Sequence, residues 1–400
     1  MTEPMVEELG LLEDVAHPSA QVLLVTNAYP SNEALYRNAF IHRRVLGYLE
    51  AGISVEVYYL HPPVHEAYQY VFDGVTVTVG GPEAYAQRIA EQPYRMILVH
   101  FANSDMVQPI LKHAPTTPVI VWVHGFEAEA WHRRWFNFTE SAAQIREALA
   151  KRDAYHEGQL ELMAWLLSTD ELDIQVVHVS DWFRRHIVEP DTGTATRHPH
   201  IIPNVVDEGL FGYREKQADD RLRILSVRPY ASRKYANDQM VAAILELSTR
   251  PYFDQLTFTV CGEGALFDET VAPLRGFDTV SIRQGFLRQE EIVELHASHG
   301  VFLAPTRFDS QGVSMCEAMA SGLVPVSTRI AAITEFVSDR ETGMLAAPEN
   351  PRSLADQIEM LYYNTELYRR LSAAAAHRVT EQCGFDATVG REIDLIGVDR

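Results

Sequence analysis

Short runs of apolar residues recur along the chain, and a helical pattern follows each of them. The first run, residues 21–26, precedes a segment in which Ile41, Val45 and Leu49 fall on one helix face. Continuous Val, Ile and Leu runs are typical of strands in a parallel sheet that is covered on both faces. The alternation therefore predicts an α/β protein with right-handed crossovers and a doubly wound sheet.

This alternation occurs twice, with an aromatic-rich, helical stretch at about residues 127–169 inside the first half. Each half is roughly 180–200 residues long, which is within the usual size range of a domain. We predict strands at 21–26, 54–60, 75–79, 96–100, 118–123 and 175–179, and again at 222–227, 256–261, 279–283, 300–304 and 323–327. The predicted domains are an acidic tail (1–20), an N-terminal Rossmann-like domain (21–204, with the insertion at about 127–169), a C-terminal Rossmann-like domain (205–385) and a C-terminal segment (386–400).

The charge balance limits the classes of partner. The chain has 34 Lys and Arg against 55 Asp and Glu, a net charge of −21. This argues against nucleic-acid binding and against a polybasic membrane anchor. Three widely spaced cysteines favour a reducing compartment without a thiolate metal site.

The expected location is the cytoplasm. The first 20 residues lack the apolar core of a signal peptide, and no apolar run approaches the ~18 residues of a membrane helix. Contact with the inner face of a membrane stays open, because short basic clusters at 42–44, 132–134 and 184–185 are weak indications of such contact.

Ligands of doubly wound sheets bind beyond the carboxyl ends of the strands. The first candidate site there is the segment from Arg228 to Lys234, which includes Arg233 and directly follows a predicted strand. Residues 221–234 carry five positive charges and no acid. Such groups at a strand end suit a diphosphate. A solvated charge run explains the composition equally well.

The second candidate site follows the predicted strand at 300–304. A loop leads into a predicted helix from about Val313 to residue 320, and the amides of Gly312, Val313 and Ser314 would form an anion site. The carboxylates of Asp309 and Glu317 could accept hydrogen bonds from sugar or ribose hydroxyls. Taken singly, a turn cap for Asp309 and a helix-dipole partner for Glu317 are the better interpretations.

The third candidate is His124, directly after the predicted strand at 118–123. A histidine at that place can donate a hydrogen bond or titrate near neutral pH. A purely structural histidine is the simpler interpretation. His100 has a similar position in a weaker context.

Together these motifs resemble the retaining GT-B glycosyltransferases of family 4 (glycosyl transferases group 1). Residues 309–322 are similar to that family's Glu-x7-Glu segment, with Glu317 at the second Glu and Asp309 in place of the first. Arg228 and Lys234 resemble its diphosphate-binding pair. Further matches are residues 203–207 (PNVVD), 257–264 (TFTVCGEG), Glu335 and Thr342-Gly343. The usual Gly-Gly of the first loop is replaced by residues 29–32 (YPSN).

The resemblance implies two Rossmann-like domains that face a central cleft, with the C-terminal helix returning to the N-terminal domain. It implies transfer from a nucleoside diphosphate sugar, with Glu317 on the ribose and the backbone near Gly285 and Phe286 on the base. Arg228, Lys234 and the helix start would stabilise the leaving diphosphate, so no metal or cofactor is expected. His124 would position the sugar, and Arg233 could share the role of Lys234. The acceptor would be a glycan, a glycolipid or another molecule, in a pathway such as surface polysaccharide synthesis.

Two alternatives stay open. One is a sugar-nucleotide epimerase of the same architecture, and the other is a non-catalytic subunit that binds a sugar nucleotide. The sequence does not define the base, sugar, acceptor, linkage or oligomeric state. The segment 131–138, rich in aromatic residues, could line an acceptor site, although a packed insertion or a subunit contact is slightly favoured.

Overall fold

The computed structural model describes residues 21–35 and 37–397. The predicted acidic tail, residues 1–20, lies outside the described residues.

The described part of the N-terminal half forms an eight-stranded sheet in the order β3-β4-β2-β1-β5-β6-β7-β8. All neighbours are parallel except β3, which pairs antiparallel to β4. The strands are β1 Val22–Thr26, β2 Val55–Leu60, β3 Tyr68–Phe72, β4 Val75–Gly80, β5 Met96–His100, β6 Val119–Val123, β7 Ile174–His178 and β8 Pro199–Ile201. The helices are α1 Ala39–Glu50, α2 Pro82–Glu91, α3 Ser104–His113, α4 Ala142–Lys151, α5 Glu157–Ser168, α6 Asp181–Phe183 and α7 Glu189–Thr192.

The C-terminal half forms a parallel six-stranded sheet in the order β11-β10-β9-β12-β13-β14. Its strands are β9 Arg223–Val227, β10 Thr257–Gly262, β11 Val280–Gln284, β12 Val301–Leu303, β13 Val324–Thr328 and β14 Met344–Ala346. The helices are α8 Asn237–Leu247, α9 Phe267–Val271, α10 Gln289–Ser298, α11 Val313–Ala320, α12 Ile333–Phe336, α13 Pro351–Tyr363, α14 Thr365–Cys383 and α15 Arg391–Ile396.

The predicted doubly wound architecture is therefore confirmed, and each predicted strand lies within a residue or two of an observed one. The predicted insertion contains 3-10 turns over Phe126–Ala128 and Trp131–Asn137, followed by α4, a π turn and α5. Buried aliphatic side chains fill both faces of each sheet, as continuous apolar strands require.

The C-terminal segment returns to the N-terminal sheet, as expected. Val389, Ile393 and Ile396 pack into the same apolar cluster as Val22 and Leu98. Gly47 permits the close approach of α1 to this segment, because a Cβ atom there would lie 2.7 Å from the Phe385 ring.

A buried ion pair anchors this return. The carboxylate of Glu392 accepts hydrogen bonds from Arg44 Nε (2.9 Å), Tyr48 Oη (2.6 Å) and Trp122 Nε1 (3.1 Å). Arg44 also donates to Asn204 Oδ1 at 3.1 Å, in the segment that joins the two sheets. Because both charged groups are fully buried, these partners replace the water that each charge loses.

Candidate active site

Arg228 follows β9 and directs its guanidinium to the start of α11. Nη1 donates to Ser314 Oγ at 3.1 Å, and Nη2 lies 3.8 Å from Asp309 Oδ2. The residue is 5% exposed, and its Nε and Nη2 make no hydrogen bond within the described part of the chain. A buried guanidinium with two unbonded donors is suited to bind an anion.

Lys234 lies on the same loop, and Tyr235 links it to Arg228. The Arg228 guanidinium carbon and Lys234 Nζ each lie 4.9 Å from the centre of the Tyr235 ring. The Lys234 carbonyl accepts hydrogen bonds from the Arg307 amide (2.8 Å) and Thr306 Oγ1 (2.9 Å), which follow β12. The structure therefore brings the β9 loop and the loop after β12 together, as predicted from their positions at the strand ends.

The five-charge cluster at residues 221–234 does not form one site. Arg221 and Arg223 lie at the opposite end of β9 from Arg228, and Arg223 pairs with Asp220. Arg221 donates to the carbonyl of Ala218 at 2.6 Å. Arg233 pairs with Glu140 of the insertion, so it already has an acidic partner across the two halves. Arg221 pairs with Asp219 and Arg223 with Asp220, and these two acids directly precede residues 221–234 in the chain.

Asp309 caps the turn before α11. Its Oδ1 accepts hydrogen bonds from the amides of Gly312 (2.9 Å) and Gln311 (3.3 Å). Gly312 has φ +84°, a conformation that favours glycine. The Gly312 amide thus already has a hydrogen-bond acceptor, and Asp309 makes the contacts expected of a turn cap. The roles of Gly312 and Asp309 in donor binding stay predictions. The amides of Val313 and Ser314 precede the first hydrogen bonds of the helix, which Met315 and Cys316 donate to the Gly312 carbonyl.

Glu317 lies one turn into α11 and faces the N-terminal half. Its Oε1 accepts a hydrogen bond from Arg43 Nη1 at 2.9 Å, and both side chains are largely buried. Burial raises the pKa of Glu317, and the Arg43 guanidinium opposes that rise. Arg43 was not predicted as a site residue, because nothing in the pattern of α1 marks a partner 274 positions away.

His124 lies at the end of β6, and His100 at the end of β5 is its neighbour. His100 Nδ1 and His124 Nε2 are 2.9 Å apart, and the Phe101 ring lies 4.6 Å from the His124 ring. Burial lowers the pKa of both imidazoles well below the usual value, so both are neutral at pH 7. The His124 side chain therefore acts as a hydrogen-bonding group and not as a cation.

Glu127 shapes the turn that carries His124. Its carboxylate accepts hydrogen bonds from the backbone amides of His124 (2.5 Å) and Gly125 (3.0 Å). Burial raises the pKa of Glu127 to about 7, against the lowering effect of these amides. No role was predicted for Glu127 from its place in the sequence.

Serine hydroxyls join the His124 turn to the loop before α11. Ser310 Oγ donates to the His124 carbonyl at 2.7 Å, and Ser180 Oγ donates to the Ser310 carbonyl at 2.7 Å. Glu335 accepts hydrogen bonds from the amides of Asp181 and Trp182 at the start of α6. The carboxyl ends of the two sheets thus face each other, with His124 on one side and the β9 and α11 loops on the other.

Gly285 and Phe286 follow β11, two strands from β9 in the sheet order. Gly285 has φ +131°, and its amide donates to the Gly262 carbonyl at 2.9 Å. Phe286 is 69% exposed. Their placement beyond a strand end agrees with the geometry expected of a base-binding edge, and the role stays a prediction.

The aromatic segment belongs to the packed insertion. Phe136 is buried, Trp135 is half-exposed, and the rings of Trp131 and Phe138 lie 5.5 Å apart. The arginines of the three short basic clusters pair with acids or with buried groups: Arg43 with Glu317, Arg44 with Glu392, Arg133 with Asp191, Arg134 with Glu129, and Arg184 and Arg185 with Asp181. Acids thus compensate much of the positive charge of these clusters, and membrane contact stays a prediction. No helix in the described ranges is long and apolar enough to span a bilayer.

Solved structures with this arrangement define the fold as that of GT-B glycosyltransferases. Sucrose-phosphate synthase from Thermosynechococcus elongatus superposes with a TM-score of 0.70 at 17% identity, over 94% of this chain and 97% of that one. The Anabaena protein HepE in complex with UDP and glucose superposes with a TM-score of 0.67 at 12% identity, over 94% of this chain and 98% of that one. At these identities the likeness establishes the fold.

Residues 221–364 match the model of the family "Glycosyl transferases group 1". This segment, which carries Arg228, Lys234 and Glu317, is thus a glycosyl transferases group 1 domain, as the resemblance of its motifs predicted. An MMP alpha-(1->4)-mannosyltransferase from Mycolicibacterium hassiacum is 24% identical over 65% of this chain and 57% of its own length. The chain spans between 23% and 57% of the length of the first curated relatives it matches.

Proposed function

We propose that this protein is a retaining glycosyltransferase that moves a sugar from a nucleoside diphosphate sugar to a glycan, a glycolipid or another acceptor. One observation carries the proposal. The buried Arg228 guanidinium, whose Nε and Nη2 make no hydrogen bond among the described residues, lies at the start of α11 beside Lys234, and Ser310 on the loop before α11 bonds to the turn of the neutral His124. The match of residues 221–364 to a glycosyltransferase family supports the same assignment.

The donor would bind chiefly to the C-terminal half. Arg228, Lys234 and the Val313 and Ser314 amides would stabilise the charge that develops on the departing diphosphate. Glu317 would accept hydrogen bonds from the ribose hydroxyls, and the edge at Gly285 and Phe286 would meet the base. HepE, of the same fold, was solved with UDP and glucose, which makes a uridine donor the first to test.

The neutral His124 would donate a hydrogen bond to the sugar while the acceptor attacks from the face that the diphosphate leaves. The leaving phosphate would take the acceptor proton, so the protein supplies no nucleophile. Contacts between the two halves at Ser310 and Glu335 would close the cleft and exclude water, which limits hydrolysis of the donor. We propose that this chemistry needs no metal ion.

The first experiment is a thermal-shift screen with UDP, GDP, ADP and their sugars, since a ligand that binds only the folded form raises Tm. The nucleotide with the largest shift is then used to follow release of nucleoside diphosphate with a pool of glycan and glycolipid acceptors, with and without a chelator. No stabilisation by any member of the panel contradicts a nucleotide-sugar site. Turnover abolished by the chelator contradicts the metal-independent mechanism.

The same assay separates the alternatives. Isomerisation of a labelled sugar nucleotide without acceptor would identify an epimerase. Binding without turnover on every acceptor would identify a non-catalytic subunit, a candidate motivated by Asp309 in place of the usual Glu, because one oxygen of its shorter carboxylate, Oδ1, is already bonded to backbone amides. A cytoplasmic role in surface polysaccharide synthesis is part of the proposal, and release of product on such an acceptor would support it.

A further inference from the structure

Arg43, in the N-terminal half, contacts Glu317 directly. It lies in α1, in the first domain, and its Nη1 donates to Glu317 Oε1 at 2.9 Å. Its guanidinium carbon also lies 5.4 Å from the centre of the buried Phe211 ring. Arg43 therefore contacts two side chains of the C-terminal half, Glu317 and Phe211.

This ion pair differs from the many exposed pairs of the molecule. The side chains of Arg43 and Glu317 are 12% and 14% exposed, whereas exposed pairs such as Lys151 with Glu147 are 67% and 66% exposed. Exposed pairs contribute little, but removal of one partner from a buried pair leaves a charge without compensation.

The geometry leaves part of the carboxylate available. The bond from Arg43 uses Oε1, and Oε2 is outside that bond. A carboxylate fixed at one oxygen keeps its plane, and the second oxygen can then accept hydrogen bonds from a pair of vicinal hydroxyls. Burial favours the protonated, weakly accepting form of Glu317, and Arg43 counteracts this.

We propose that Arg43 is a positioning residue for the donor: it holds the Glu317 carboxylate in one orientation, so that the enzyme recognises the ribose hydroxyls only when the N-terminal half is docked. This inference rests on the proposed function, in which Glu317 binds the ribose. It assigns a donor-recognition role to the domain that is expected to bind the acceptor.

A competing arrangement has the opposite consequence. If Arg43 occupied the place of the ribose, its removal would free Glu317 and strengthen nucleotide binding. If Arg43 orients Glu317, its removal weakens binding, and only for nucleotides that carry ribose hydroxyls.

The test measures Kd by titration calorimetry with the nucleoside diphosphate that gives the largest thermal shift among UDP, GDP and ADP, and with its 2′,3′-dideoxy form. For the wild type, a hydrogen bond to a charged group predicts a preference for the ribose form of about 10-fold or more. Arg43→Met should reduce this preference to about that of Glu317→Gln, and Arg43→Lys should restore part of it. Because the two residues act as one unit, the double variant should lose no more than either single variant.

Arg88→Met is the matched control, since Arg88 forms an ion pair with Glu56 inside the N-terminal half at 2.7 Å. It should keep the wild-type preference. If the wild type itself shows no preference, the assignment of Glu317 to the ribose is wrong, and the inference falls with it. If the wild type shows the preference and a folded Arg43→Met variant keeps it, or binds the nucleotide more tightly, the inference alone is overturned.

Discussion

The buried carboxylate of Glu392 gives the sharpest quantitative prediction for this fold. In the variant Glu392→Leu, the Arg44 guanidinium loses its ionic partner, and Tyr48 Oη and Trp122 Nε1 lose their acceptor. Removal of one member of a buried pair costs about 3–5 kcal/mol. Arg44 keeps its bonds to Asn204 Oδ1 and to the Phe40 carbonyl, so we expect a loss within that range and not above it.

This loss should be visible by calorimetry as a lower Tm. For a unit of 150–250 residues, 1 kcal/mol corresponds to about 2–4 °C, so the expected decrease lies between about 6 and 20 °C. The variant Asp394→Asn changes a carboxylate that is exposed on the same helix and should alter Tm by less than about 2 °C.

The double variant Arg44→Met/Glu392→Leu tests whether the loss of charge compensation causes this destabilisation. If loss of charge compensation is responsible, the double variant should recover part of the stability that Glu392→Leu loses, because both charges are then absent. A Tm of Glu392→Leu within about 2 °C of the wild type would refute the reasoning, and so would a double variant that is as unstable as the sum of the single ones.

Three further predictions concern the candidate site. Lys234→Ala should lower kcat about 10²–10³-fold in a nucleoside diphosphate release assay, because a charge on the leaving group is lost, while Lys112→Ala, exposed on α3, should have no effect. Burial raises the pKa of Glu127 to about 7 from 4.5, so the stability that its protonated form contributes is complete below pH 4.5 and is lost as the pH rises through about 7. Between pH 5 and 8, the Tm of Glu127→Gln should therefore decline less than the Tm of the wild type. Because burial keeps His124 neutral, kcat should show no inflection near pH 6.5 from this group, and an inflection that disappears in His124→Asn would contradict its assignment as a neutral donor.

Much of the fold could be predicted because the central strands are buried on both faces. Residues such as those of β1, β5 and β6 are all apolar or nearly so, and a run of this kind has few other stable placements. The strand β3 was missed since it is a largely exposed antiparallel edge strand in which tyrosine alternates with polar or exposed residues. Such a strand gains its stability from its neighbour β4 and not from its own composition.

The candidate site could be predicted only in its local parts. Arg228, Lys234 and the start of α11 follow strands of one sheet, so their convergence is a property of the topology. The bond from Arg43 to Glu317 depends on how the two halves dock, and a helix pattern reveals only which face is apolar. The residue type of Asp309 indicated that it could cap a turn. In the structure its short side chain reaches the Gly312 amide, which agrees with that interpretation.

The return of the C-terminal segment has a consequence for the order in which the molecule can be made. Val389, Ile393 and Ile396 complete an apolar cluster whose other members come mainly from residues 22–205, and Glu392 neutralises Arg44 inside it. A ribosome releases these late residues only after the whole second sheet has been synthesised. Until then, the apolar face that Val389, Ile393 and Ile396 cover stays exposed and Arg44 lacks its acidic partner, so the N-terminal half is more prone to aggregate during synthesis than after it.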